Sequence, residues 1–169
     1  ESDAAPLSLP TAGGLSPRIH SGSIFYRGNK AGRDGLWKLA AGGAATELWN
    51  GVNGRVMAES AVASDGRLAF VVRRRGLTEL YVMNGDATGI RRIADGLDVR
   101  GAPAWSPDGQ WLAVAAANRA GIPQIFKIPI GGGSPVLLVT GYSTDPIWAP
   151  SGRFLVYSGA DVGTTFSVQ

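Results

Sequence analysis

The chain has 169 residues, 44% of them hydrophobic and 17% charged, with a net charge of +3. That balance excludes a disordered polar segment. The small excess of cations is spread along the chain, so it builds neither a nucleic-acid groove nor a basic membrane-binding helix. Cysteine is absent, which removes disulfides and thiolate metal sites.

No apolar run approaches the roughly 18 residues of a membrane span, and no signal peptide is visible. The chain opens at Glu1-Ser2-Asp3 without an initiator Met, as expected of a mature or excised form. Helical periodicity is almost missing. No window free of Gly and Pro carries apolar residues at i, i+3, i+4 and i+7. Short β-rich runs between turn clusters fill the chain instead, which predicts an all-β fold.

In order, Leu7-Ser8-Leu9 is a short alternating run closed by Pro10. A first unit follows. It has strands at Ile24–Arg27, Leu36–Leu39 and Thr46–Trp49, with a glycine-rich hairpin loop from Gly28 to Gly35. The second unit has strands at Val56–Val62, Leu68–Arg73, Glu79–Met83 and Ile90–Ala94. The third has Pro103–Trp105, Trp111–Ala116, Gln124–Ile130 and Val136–Thr140. The fourth has Pro146–Trp148, Phe154–Ser158 and Thr165–Val168, and there the chain stops one strand short.

The units are copies. Pro103 to Ala115 reads P-A-W-S-P-D-G-Q-W-L-A-V-A, in which Pro presets φ, Asp bonds its own backbone and Gly takes a positive φ. Pro146–Ser158 and Ala61–Val72 repeat this hairpin, and Arg18–Tyr26 is a worn version. The turn glycines Gly22, Gly66, Gly109 and Gly152 recur at intervals of 44, 43 and 43 residues. The third strands each carry an aromatic followed two residues later by an aliphatic, as in Trp37/Leu39, Tyr81/Met83 and Phe126/Ile128. Period two puts both on one face.

Four strands per unit of about 43 residues is the blade pattern of a β-propeller. Each thin blade must cover its faces with its neighbours. The prediction is one domain over 1–169. Its blades lie at approximately 15–54, 55–97, 98–141 and 142–169, and residues 6–10 supply the closing strand of the last. About four blades could make a small closed ring, a ring shared with a second copy, or a fragment. Four strongly twisted blades leave little room at the axis, which favours the latter two.

The string W-S-P-D-G-x-x-L-A at Trp105–Ala113, followed by the aromatic-x-aliphatic strand, resembles the WD-repeat-like blades of TolB-type β-propellers. The match weakens at Trp148–Leu155, where Ser151 replaces the Asp, and at Val62–Ala69. It is poor at Arg18–Phe25. The resemblance implies a periplasmic or extracytoplasmic setting. Such blades occur in TolB-like proteins, in bacterial sensory regulators and beside the hydrolase domain of prolyl oligopeptidase-like peptidases.

Catalysis finds little support. His20 is the only histidine and sits beside a hairpin turn. There is no G-x-S-x-G elbow, Walker loop, H-E-x-x-H or calcium loop. The Gly28–Gly35 stretch lacks a following helix to aim N–H groups at a phosphate. No metal or other cofactor is expected. Trp37, Tyr81, Trp105, Phe126 and Trp148 read as core between blades, whereas Trp49 is less regular and open to exposure. Arg73-Arg74-Arg75 reads as a solvated hairpin tip, with an anionic partner as the functional alternative.

The best binding candidates come from position. Residues entering each innermost strand are expected to rim the central channel: Leu15, Glu59, Ala102 and Asp145, with Arg100 just before. Glu59, Arg100 and Asp145 are the charged ones and the predicted partner-binding residues. Pairing of Arg100 with a neighbouring acid is the competing reading. The functional expectation is a non-catalytic module for a protein or peptide, without nucleic acid. The alternative is the accessory propeller of a prolyl oligopeptidase-like enzyme.

Overall fold

The computed structural model describes residues 13–160. Every regular element among them is a β-strand, and no helix is long and apolar enough to cross a membrane. The first sheet is ordered β1 (Leu15–His20), β2 (Ser23–Lys30), β3 (Arg33–Leu39), β4 (Ala45–Trp49). The second holds β5 (Arg55–Val56) and β6 (Ala61–Val62), both paired to β7 (Leu68–Arg74), then β8 (Leu77–Met83) and β9 (Arg91–Ile93). The third runs β10 (Asp98–Trp105), β11 (Trp111–Ala117), β12 (Pro123–Pro129), β13 (Val136–Val139). The fourth shows β14 (Ser143–Trp148) and β15 (Leu155–Gly159). All pairings are antiparallel. The fold is all-β, built of propeller blades. The proposed closing segment 6–10 and the strand Thr165–Val168 lie outside the described residues.

The recurring hairpin forms for the reasons its residues predict. Asp108 Oδ1 accepts the Gln110 N–H (3.0 Å) and the Ser106 hydroxyl (2.5 Å). Gly109, at φ +66°, donates to the Ser106 carbonyl (2.9 Å). Gly66 and Gly152 make the same bond to Ala63 and Ala149. The first blade differs. Its turn is only Ser21-Gly22, both at positive φ, the primed geometry of a two-residue hairpin. Register therefore aligns Ile19, Val62, Trp105 and Trp148, which face Ile24, Leu68, Leu112 and Leu155.

Alternation along β7 joins three blades. Leu68, Phe70 and Val72 pack against Phe25, Leu36 and Leu48 of the first blade. Ala69 and Val71 turn the other way, onto Leu112, Val114 and Ile128 of the third. All five β7 residues are buried, so the sheets share one core.

Several strands differ from the sequence expectation. Gly28–Gly35 is not a loop. Gly28 pairs with Gly35, and only Ala31-Gly32 turns. Those glycines serve packing: a Cβ on Gly28 would stand 2.9 Å from the Trp37 ring, and one on Gly35 2.3 Å from the Trp49 carbonyl. The strand expected at Val56–Val62 is broken in two, and β10 begins at Asp98, well before Pro103.

At the two ends of the row, apolar side chains face outward. Ile19 is 78% exposed at the position where Trp105 and Trp148 reach a preceding blade, and Ile147 (63%) and Phe154 (67%) are exposed on the fourth blade.

Candidate functional site

The first strand of each blade forms its inner edge, and each is interrupted at the same level. The β1 register shifts between Leu15 and Arg18. The second blade breaks between Val56 and Ala61, β10 shifts between Arg100 and Ala104, and β14 between Thr144 and Ile147. Such bulges re-aim side chains and backbone groups. Ser16 (φ +54°), Gly101 (φ +74°) and Asp145 (φ +51°) take the left-handed conformation there. For Ser16 and Asp145 this costs roughly 1–2 kcal/mol each, held in place by the surrounding sheet. A proline follows within two residues, at Pro17, Pro103 and Pro146. The second blade has Ser60 instead, buried at 4% exposure, whose hydroxyl has no protein partner among the described residues.

The predicted residues fall on these interruptions. Glu59, Ala102 and Asp145 lie within them, while Leu15 and Arg100 flank them. They stand partway along the inner edge rather than at strand entrances, because β10 and β14 start earlier than their apolar runs suggested.

The three charged residues do not form one cluster. Glu59 is ion-paired with Arg18 of the first blade, bridging the inner edges of blades one and two. Arg100 bonds Asp98 at 2.6 Å, two residues away on the same face of β10. Asp145 accepts the Thr144 hydroxyl at 3.0 Å. Its Oδ1 lies 3.6 Å from where a Cβ on Gly101 would stand, so the third and fourth interruptions adjoin. Arg27 adds a bond to the Met57 carbonyl at 2.9 Å.

Sequence reasoning missed Arg18 and Asp98. Asp98 was findable from period-two spacing to Arg100. Arg18 lay in the most worn repeat, with no motif to flag it.

The remaining candidates sit elsewhere. His20 ends β1 on the turn side. There it lines an open groove of about 510 Å³ with Lys38, Asp65, Arg67 and Asp86. The Thr88 hydroxyl and N–H hold the Asp86 carboxyl below its ordinary value, with Lys38 adding a smaller effect. Trp105 and Trp148 are structural: their Nε1 atoms donate to Ala61 and Ala104 of the preceding blade, both at 3.2 Å. Trp49 is not an exposed outlier. It packs 5.4 Å from both Phe70 and Tyr81 and donates to the Gly54 carbonyl at 2.8 Å. Among the described residues no three His, Asp or Glu side chains gather in a metal-binding group.

An inner edge of short polar side chains, ion pairs and displaced backbone can hydrogen-bond an inserted peptide or loop.

Comparison with known proteins agrees with this architecture. The Tol-Pal system protein TolB of Desulfosudis oleivorans is 34% identical over 92 residues, 54% of this chain and 21% of that protein. The crystal structure of TolB from Acinetobacter baumannii superposes with a TM-score of 0.75 at 20% identity, over 92% of this chain and 40% of that one. A solved prolyl endopeptidase superposes with a TM-score of 0.61 at 14% identity, over 92% of this chain and 29% of that one. The chain thus spans about a fifth of the Desulfosudis protein and two-fifths of the Acinetobacter one. Residues 36–169 match the TolB beta propeller domain, and the chain belongs to that family.

Proposed function

We propose that the chain is a non-catalytic propeller module that binds a protein or peptide partner along its inner edge, in a periplasmic setting of the Tol-Pal type. The relation to a Tol-Pal system protein carries this reading. The interrupted inner strands, with Glu59, Arg100 and Asp145 on or beside the breaks, supply a physical site. Loops and bulges held on a rigid scaffold are where such domains carry recognition. The likeness to a prolyl endopeptidase is one of fold, and no residue here favours the accessory-peptidase alternative.

The test compares capture of cell-envelope proteins, and of purified Pal, by wild type and by a Glu59→Ala/Asp145→Ala variant. Loss of the captured partner in the variant supports the inner-edge site. Equal recovery by both removes it, and no capture by either removes the binding role.

A further inference from the structure

The turns of blades one and two face each other across a groove that a side chain bridges at the next seam. There Arg67 reaches the third blade. Its Nη2 donates to the Gly109 carbonyl at 2.8 Å, and its guanidinium lies over the Trp105 ring at 4.9 Å. Arg67 immediately precedes Leu68. The residue in that place on the first blade, before Ile24, is Ser23. A serine is too short to cross to the second blade. The space left is the groove of about 510 Å³ beside His20. Two glycine turns of the second blade form its far side, packed so closely that a Cβ on Gly85 would stand 2.9 Å from the Gly66 carbonyl.

Register brings the groups of the near wall together. His20 pairs with Ser23 across the β1–β2 turn, and Phe25 pairs with Lys38 across β2 and β3. Period two therefore puts all four on one face, the face from which Phe25 packs into the second blade. Contacts agree: Lys38 Nζ donates to the Gly85 carbonyl at 3.3 Å, and His20 Nε2 lies 3.6 Å from where a Cβ on Gly66 would stand. The donors on this wall are underused. Lys38 makes no ion pair among the described residues, and the side chains of His20 and Ser23 have no hydrogen-bond partner among them. The facing wall offers acceptors. Asp86 spends Oδ1 on the Thr88 hydroxyl and N–H, which leaves Oδ2. Asn84 donates to Thr88 through Nδ2, which leaves its Oδ1. Asp65 and Arg67, also on that side, are already bonded to each other.

We propose that this groove takes the free C-terminal end of a peptide, with the α-carboxylate on Lys38, Ser23 and His20 and the adjoining N–H groups on Asp86 and Asn84. An ammonium donor bonds a carboxylate more strongly than it bonds the neutral Gly85 carbonyl. A bare anion would satisfy the near wall and meet the Asp86 carboxylate on the other. A peptide end carries acceptor and donor within one residue, so it satisfies both walls. The volume lies within the roughly 300–1,000 Å³ of ligand clefts, and capture of a terminal carboxylate is a recurring mode of peptide recognition. The groove is on the turn side, apart from Glu59, Arg100 and Asp145, and the proposal stands without the inner-edge reading.

The experiment uses His20, the single histidine, whose ring signals in a proton NMR spectrum report on the groove itself. The whole chain, at fixed pH, is titrated with the tripeptide Gly-Gly-Ala, with its C-terminally amidated form and with free alanine. The free-acid peptide is expected to shift the ring signals saturably. Amidation is expected to weaken binding about tenfold, the scale of one charge-assisted hydrogen bond. Lys38→Met should weaken it by a similar factor. Ser23→Arg, which copies the second seam, should abolish it in a protein whose unfolding curve matches wild type. Glu59→Ala/Asp145→Ala is expected to bind the tripeptide like wild type, which separates this site from the inner edge. Absence of a saturable shift with Gly-Gly-Ala overturns the proposal. So does equal binding of the amidated form, unchanged binding by Lys38→Met or Ser23→Arg, or binding of free alanine as tight as that of the peptide.

Discussion

The seam between blades one and two and the seam between blades two and three occupy equivalent places and are held by different chemistry. The second seam is aliphatic, with Ala69, Val71, Leu80 and Val82 meeting Leu112, Val114 and Ile128. It is pinned at its inner edge, where Trp105 donates to the Ala61 carbonyl and lies under the Arg67 guanidinium at 4.9 Å. The first seam has Val62 at the Trp105 position, so it lacks that pin. It is aromatic instead: Phe70, Tyr81 and Trp49 pack at 5.4–5.8 Å. Its indole bond runs from Trp49, at the end of β4, to the Gly54 carbonyl just before β5. Arg18 and Glu59 close the inner edge by charge. The lesson is that the repeat keeps a geometry, two faces brought into contact and tied by an indole donor, while the strand supplying the tie changes from β10 in one seam to β4 in the other.

The sharpest break in that comparison is a matched truncation. Phe70→Ala in the first seam is expected to cost about 3–5 kcal/mol, as for buried aromatics in general. Val114→Ala, at the equivalent position, removes fewer contacts and should cost clearly less. Urea unfolding of both variants measures the difference, and equal losses would mean the seams are not chemically distinct.

Next in size is Gly35→Ala. The added Cβ would meet the Trp49 carbonyl at 2.3 Å, so β4 must move. A loss of about 1–3 kcal/mol is expected, together with a changed tryptophan emission. Unchanged emission would show that Trp49 is not held in place by this contact.

A smaller and more local pair sharpens the contrast. Trp49→Phe and Trp105→Phe each leave one carbonyl without its donor, at about 1 kcal/mol. Hydrogen exchange should speed near Gly54 in the first variant and near Ala61 in the second. The same pattern from both would dissolve the distinction between the two indole ties.

The smallest effect is electrostatic. Asp34, bonded to Asn29 and to Arg55 of the second blade, has its carboxyl lowered in the folded state. Its contribution is therefore fully present above the ordinary carboxylate value of about 4. It is lost as pH falls through the lowered folded value. The stability gap between wild type and Asp34→Asn should be constant near neutrality and close in acid. A gap that widened in acid would reverse the sign of the coupling.

Much of the architecture was legible in the residues. Gly66, Gly109 and Gly152 announced their turns because the side chains of Asp65, Asp108 and Ser151 accept the backbone N–H two residues on. The uninterrupted apolar run Leu68–Val72 fits a strand covered on both faces. The short turn at Ser21-Gly22 was hidden, since its Gly keeps the repeat interval although the hairpin is tighter. Trp49 was misjudged because its role depends on Phe70 and Tyr81 of another blade. Glu59 was singled out and its ion-pair partner was not, because Arg18 lies 41 residues away.

Local chemistry, acting over a few bonds, determined the turns, the strand alternation and the 43-residue period, and with them the propeller blades. The tertiary structure alone decided which inner-strand charges meet, where the strands break, and that Gly28 and Gly35 serve packing rather than a loop. Each of those depends on how closely a neighbouring strand or sheet approaches. That distance is set by the summed packing of two faces and not by any one stretch of chain.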